Sequence, residues 1–255
     1  MANAEGPMRK REILARRDGR RRPIHGTAIG IIVLDTGFRR IPGDIAHVGS
    51  WNFPVQFAVA RNVRPQDVIE GDAEKVLDVF RRAIDELTAI GVDGITTSCG
   101  YLSAVHRQLR AYSPVPFVSS SLQQIPMVLT MLPAGKTVGI VVSDRAAMRD
   151  VHFTQVGAPT GLPIAELPEA GIIRCNMRTN SLDIDVEAQE DEVLGVVERL
   201  LQVHPDVGAI VSECANLPPY SAAVQRRFGL PVFDIVTLVT WMHGGLAPRS
   251  FSPAR

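Results

Sequence analysis

One feature constrains the fold of this chain more than any other: a strand pattern that is written twice. The run IGIIVLD at residues 29–35 returns as VGIVVSD at residues 138–144, which matches Gly30 with Gly139 and Asp35 with Asp144. The run VDGITTSC at residues 92–99 returns as VGAIVSEC at residues 207–214, which matches Ile95 with Ile210 and Cys99 with Cys214. Beyond the cysteines, Leu102 matches Leu217 and Pro116 matches Pro231 without a gap. Apolar strands give chance identities. A shared cysteine and an ungapped cysteine-to-proline distance are harder to obtain by chance.

Each repeated run is short, apolar and β-branched and stops at a polar loop, the signature of a strand buried in a parallel sheet. Between such runs lie helical patterns. Residues 71–91 carry Val76, Leu77, Phe80, Ala83, Ile84, Leu87 and Ile90 at helical spacing, with Gly91 as a stop. After the strand VDGITTS, LSAVHRQLRAY reads as a helix, VPFVSS as a strand and LQQIPMVLTML as a helix that tolerates Pro126 near its start. The scheme restarts at residues 136–144. It continues with a helix at about 145–156, a strand near GIIRC, a helix at 187–203, the strand VGAIVS, a helix at 217–228, the strand LPVFDI and a last helix. Residues 35–55, rich in Gly, Pro and Asp, read as a long loop beside a strand end, a usual place for function. Such alternation predicts an α/β fold with mainly parallel sheets. The duplication predicts two lobes related by a pseudo-twofold axis, with the active site in the cleft between them. Lobe 1 spans residues 27–135 and carries Cys99; lobe 2 spans residues 136–255 and carries Cys214. The C-terminal helix is a candidate to return to lobe 1.

Apolar residues make up 45% of the chain, enough for a well-buried core. The net charge of zero conceals an uneven distribution: residues 9–22 hold eight Arg/Lys against Glu12 and Asp18. Residues 1–26 are expected to be a basic, disordered tail, with nucleic-acid contact the less favoured reading. Three cysteines, Cys99, Cys175 and Cys214, are too few and too odd in number for a disulfide framework. No apolar segment resembles a signal peptide or a membrane span, so a reducing, cytoplasmic location is expected.

In an open α/β sheet, ligands bind beyond the carboxyl ends of the strands. Cys99 and Cys214 each stand at such an end, before a helix whose N-terminus is expected to favour the thiolate. Two lobes facing each other would put both sulfurs at one cleft. That suits inversion of a carbon acid, in which a base removes a proton from one face and an acid returns one to the other. A single buried cysteine is ordinarily a small hydrophobe, and Cys175, with no partner position, is read that way.

The residues at these strand ends resemble the cofactor-independent aspartate/glutamate/hydantoin racemase superfamily across residues 27–245. The resemblance is carried by LDTG after the first strand, TTSCG, VVSD and SECANLPPY. It implies a racemase or epimerase acting at the α-carbon of an amino acid or close derivative, with Cys99 and Cys214 as the proton carriers and no cofactor. Asp35 and Thr36 match the family's Asp-Ser pair near the ligand amine. Arg40, Pro42 and Gly43 lie in RIPGD, which is similar to its substrate loop. Ser143 holds the matching place in the second lobe. Ser98, with the backbone after each cysteine, is placed to bind the carboxylate. Gly100, Tyr101, Ala215 and Asn216 complete the expected substrate site. Glutamate racemases have Cys-Asn-Thr-like and Gly-Cys-Thr-like stretches where this chain has Cys99-Gly100-Tyr101 and Cys214-Ala215-Asn216. The substrate is therefore left open. The expected partners are a small-molecule substrate and a second copy in a homo-oligomer, with no membrane.

The remaining motifs exclude other chemistries. Lys10, Lys75 and Lys136 are poorly placed for a pyridoxal Schiff base. The six histidines show no metal-ligand spacing, so no metal is expected. Nucleotide-binding glycine motifs and the G-x-S-x-G elbow are lacking. The alternatives within the fold are hydantoin racemisation, decarboxylation, or cis–trans isomerisation by a cysteine nucleophile. The alternative outside enzymology is a small-acid binding protein.

Overall fold

The apolar repeats form the middle of two parallel sheets. The computed structural model describes residues 23–69 and 73–251. The Arg-rich stretch at residues 9–22, and with it most of the tail expected over residues 1–26, lies outside them. In the first lobe, β1 (Ile29–Leu34) is flanked by β2 (Val55–Ala60) and β3 (Gly94–Thr97), all parallel, in the order β2-β1-β3. Between β2 and β3 come the short α1 (Pro65–Ile69) and then α2 (Leu77–Ile90), which buries Phe80, Ala83, Ile84 and Leu87 against the sheet. Gly91 ends α2 in the left-handed conformation, with φ 102°, and its N–H returns to Leu87 and Thr88. After β3 the chain makes a 3-10 turn over Gly100–Val105, then α3 (His106–Tyr112) and α4 (Ile125–Met131).

The second lobe contains β4 (Thr137–Val142), β5 (Ile164–Glu166), β6 (Val207–Ser212) and β7 (Val232–Phe233), in the order β5-β4-β6-β7. Its helices are α5 (Asp150–Thr154), α6 (Ile172–Thr179), α7 (Val186–Val203), α8 (Pro218–Phe228) and α9 (Ile235–Leu246). The duplication read in the sequence reappears in the register. Gly30 pairs with Ile95, and Gly139 pairs with Ile210. Ile95 bridges to Phe117, and Ile210 pairs with Val232. The N–H of Ser98 donates to Ile32 at 2.9 Å, and that of Glu213 to Val141 at 2.8 Å. Equivalent bonds thus hold the two cysteine-bearing turns at the ends of equivalent strands.

The lobes also exchange helices. α9 lays Ile235, Leu238, Val239 and Met242 on Ile29, Ile31 and Val118 of the first lobe. Leu122, Ile125 and Val128, from the first half of the chain, pack on Val138, Ile140, Val142, Ala209 and Val211 of the second. Each such aliphatic side chain contributes about 2 kcal/mol when fully buried. The exchange therefore fixes the two halves of the cleft relative to each other.

Local differences from the sequence reading have physical causes. The segment GIIRC is not a strand but the start of α6, and the strand lies earlier, at Ile164–Glu166. The Glu192 carboxylate accepts the N–H groups of Ile172 and Ile173, which caps α6 through a contact 20 residues away in sequence. β2 was hidden behind the long loop because it is an edge strand, only partly buried. VPFVSS contracts to the single bridge at Phe117, and LPVFDI to Val232–Phe233. The latter stops because Asp234 caps α9, accepting from the N–H of Thr237 at 2.9 Å. The helix expected at about 145–156 is shortened to α5, since Asp144 turns the chain first by accepting from Ala146 and Ala147.

Candidate active site

A cleft of about 390 Å³, counted with the solvent space at its mouth, opens where the carboxyl ends of the two sheets face each other. The end of β3 supplies Ser98, Cys99, Gly100 and Tyr101. The end of β6 supplies Glu213, Cys214, Ala215 and Asn216. Leu34, Thr36, Phe38 and Arg40 come from the end of β1 and its loop, and Ser143 from the end of β4. Pro65 and Ile69 of α1 and Met177 of α6 close the apolar rim. Both cysteines are free thiols, 7% and 6% exposed, so the cleft is lined by two sulfurs that bulk water barely reaches.

Of the residues expected at the site, Thr36, Arg40, Ser98, Cys99, Gly100, Tyr101, Ser143, Cys214, Ala215 and Asn216 line this cleft. Asp35, Pro42 and Gly43 do not. Asp35 is exposed, and its carboxylate accepts the N–H of Asn62 at 2.8 Å. Pro42 faces solvent. Gly43 has φ 103°, and a Cβ there would lie 2.7 Å from the Cα of Pro219, so its role is to let the loop turn against α8. Cys175 lies on α6, outside the cleft, with its sulfur 3.4 Å from Nη2 of Arg178.

A polar chain crosses the cleft wall. Arg40 donates through Nη2 to Thr36 Oγ1 at 2.9 Å and pairs through Nη1 with Asp44 at 2.8 Å. Asp44 then accepts from Nδ2 of Asn216 at 2.6 Å. With its NH2 committed to a carboxylate, Asn216 must present Oδ1 to Cys214, whose Sγ lies 3.8 Å away. An acceptor in that position favours the protonated thiol. Tyr101 ties the lobes together: its hydroxyl donates to the carbonyl of Asp144 at 2.6 Å and accepts from the Asp144 N–H at 2.8 Å. The hydroxyl of Ser143 lies 3.3 Å from the same oxygen.

The expected lowering of the thiols by helix N-termini is reversed. Burial pushes Cys99 far up, and the nearby Glu213 adds to it, against a smaller opposing effect of the Tyr101 and Leu102 N–H groups. Cys214 is pushed up to about 12, first by burial and then by Glu213. Desolvation of a charge exceeds what two backbone dipoles return. A thiolate formed here is correspondingly a strong base.

The sequence reading passed over Glu213, Asp44, Phe38 and Met177. Glu213 is 1% exposed, both carboxyl oxygens lack a hydrogen-bond partner among the described residues, and burial pushes it up to about 8. It explains Gly100: a Cβ there would lie 2.7 Å from the Glu213 carbonyl oxygen and closer still to Oε1. A signal was present, because Glu213 occupies the place of Ser98 in the second copy of the repeat, where an acid is out of pattern. Met177 was hidden by the reading of its surroundings as a strand.

Two parallel lobes meeting at paired strand-end cysteines agree with a profile of Asp/Glu/hydantoin racemases, which matches residues 55–243. The chain belongs to this family. It is 25% identical over 221 residues to a dimethylsulfoniopropionate lyase of Durusdinium sp. clade D, covering 84% of this chain and 73% of that protein. It is 28% identical over 227 residues to dimethylsulfoniopropionate lyase 7 of Emiliania huxleyi, covering 82% of this chain but only 64% of the relative. Among solved structures, an arylmalonate decarboxylase variant in a sulfate-associated form superposes with a TM-score of 0.58 at 16% identity, covering 89% of this chain and 97% of that one. Allantoin racemase from Klebsiella pneumoniae superposes with a TM-score of 0.56 at 18% identity, covering 87% of each chain. These likenesses establish the fold of an enzyme family whose named members include racemases, lyases and decarboxylases. No described helix is long and apolar enough to cross a membrane.

Proposed function

We propose that this protein inverts a carbon next to a carboxylate in a small organic acid, with Cys99 and Cys214 as the two proton carriers. The observation that carries the reading is that both thiols line one cleft from equivalent positions of a duplicated fold. One sulfur, as thiolate, takes the proton from its face of the substrate. Charge spreads into the carboxylate, where the backbone N–H groups beyond the cysteines and the Ser98 hydroxyl are placed to receive it. The opposite thiol returns a proton to the other face. The lifted basicity of both sulfurs suits a weak carbon acid. The reading needs no cofactor, and it needs both thiols reduced, which places the protein in a reducing, cytoplasmic setting.

A second reading is favoured by the similarity to dimethylsulfoniopropionate lyases. The first proton transfer is the same. If the β-carbon carries a leaving group, the electron pair expels it, and dimethylsulfoniopropionate would give dimethyl sulfide, acrylate and a proton. Elimination needs one base, whereas inversion needs both.

Incubation in D₂O with L- and D-amino acids, 5-substituted hydantoins and dimethylsulfoniopropionate, followed by NMR, tests both. Loss of the α-proton signal with inversion is expected for some member, and Cys99→Ala and Cys214→Ala should each abolish it. Full inversion by either variant would overturn the two-thiol mechanism. Olefinic signals that survive in one cysteine variant would favour elimination.

A further inference from the structure

We propose that the Glu213 carboxylate is the subsite for a cationic group of the substrate, so that the cleft selects zwitterionic acids over acids of the same shape with a neutral tail. The inference rests on the proposed function only in taking this cleft as the place where substrate binds.

Buried polar groups are normally paired, and one that is not calls for a partner. Both oxygens of Glu213 lack a hydrogen-bond partner among the described residues, and Glu213 is one of the residues that line the cleft. Among the described residues no side chain supplies the missing cation. Arg40, the arginine on the same wall, is committed to Asp44 and Thr36. The titratable groups whose charge is felt together with that of Glu213 are Cys99 and Tyr101 on the turn after β3 and Cys214 on its own turn. None of these can become positive, and each is pushed up in part by Glu213.

The fold reserves space for this acid. Gly100 has no room for a side chain because Glu213 fills it. The equivalent position in the first lobe holds Ser98, whose hydroxyl is used internally, accepting from the Leu34 N–H at 3.1 Å. One half of the repeat thus carries a hydroxyl that accepts from the backbone and the other an acid with no partner among the described residues. The cleft also offers apolar or polarisable surface at Leu34, Ile69 and Met177, and its one arginine, Arg40, is already paired with Asp44. One acid in such a shell suits an ammonium or a methylated onium; an anion would meet the carboxylate unscreened.

Burial holds the Glu213 carboxyl protonated to about pH 8. A cation arriving at neutral pH must therefore displace its proton, and cation binding should tighten as pH rises through that range. Titration calorimetry with two inert acids of the same shape, 3-(trimethylammonio)propanoate and 4,4-dimethylpentanoate, tests this, with β-alanine against butanoate as the ammonium pair. At pH 8 the wild type should prefer one of the cationic members by about tenfold or more. Which pair shows the preference distinguishes onium from ammonium. Glu213→Gln should bring the preference to within about twofold while still binding the neutral acid. At pH 7, binding of the cation to wild type should release about one proton, read from buffers of different ionisation enthalpy. That measurement stands even if the variant fails to fold. Equal affinities within both pairs, a preference retained in Glu213→Gln, no proton release, or no binding of either zwitterion would each overturn the subsite. Proton exchange by wild type without cation preference would sink the subsite and leave the proposed function standing; cation preference without exchange would do the reverse.

Discussion

Replacing Glu213 by glutamine removes a charge with almost no change in volume, and its effect on stability follows from the burial of the site. The carboxyl loses its proton near 4.5 when unfolded and near 8 when folded. Between those values the folded state holds a proton that the unfolded state has released. Stability therefore falls as pH rises through this window and levels off above 8. Integrated from pH 5 to pH 9, the loss assigned to this one group is about 4 kcal/mol. Glutamine has no such proton. Every other titrating group is common to the two proteins. Cys99, Tyr101 and Cys214, which Glu213 helps to push up, are raised first by burial and keep their protons in the folded state across this range, so their contributions nearly cancel. Urea denaturation at pH 5 and pH 9 should show the difference between glutamine and wild type moving about 2–4 kcal/mol in favour of glutamine, with unchanged m. A difference that stays constant between the two pH values would refute the reasoning, since Glu213 would then ionise as easily folded as unfolded. The expected gain has a functional counterpart, because a cleft that holds a poorly solvated acid gives up stability for recognition.

Other outcomes follow from the same geometry. Gly100→Ala should destabilise by about 1–3 kcal/mol by driving a methyl into Glu213; a Glu213→Ser second change should recover part of it, since the clash with the carbonyl oxygen at 2.7 Å remains, and fully additive losses in denaturation would contradict the side-chain contact. Tyr101→Phe should cost about 1–2 kcal/mol, because it leaves the Asp144 N–H and carbonyl without their partner across the lobes. Since both thiols are pushed up, kcat/KM for proton exchange should rise with pH above 7 and reach no plateau below pH 9; a maximum near neutrality would contradict that. Asp44→Asn should break the ion pair with Arg40 and free the Asn216 amide to turn. Exchange that depends on Cys214 should then fall about tenfold or more, while exchange that depends on Cys99 is retained, as read from D- and L-substrates separately.

Some of the site was legible before any coordinates. The two cysteines could be paired because the repeat carries them at identical distances from Pro116 and Pro231, and the register of Gly30 with Ile95 and of Gly139 with Ile210 follows the same correspondence. Tyr101 and Asn216 could be singled out by their distance from the cysteines, though not their tasks. Tyr101 spends its hydroxyl on the other lobe, and Asn216 is oriented by Asp44, 172 residues away in sequence. Asp35 and Gly43 sit in motifs similar to the family's, yet Asp35 turns outward to Asn62 and Gly43 is held against Pro219.

What the sequence by itself determined is the alternation of buried strands and helices, its duplication, and the placing of one thiol at each repeated strand end. These are local, periodic properties that a chain carries in any environment. Only the tertiary structure decided the state of those thiols. A helix N-terminus predicts a lowered thiol, but Cys99 packs into the apolar core of the first lobe and Cys214 into that of the second, which buries both sulfurs, and Glu213 places a buried acid near both. Desolvation depends on everything packed around a group, and most of what surrounds Cys99, Glu213 and Cys214 comes from distant parts of the chain.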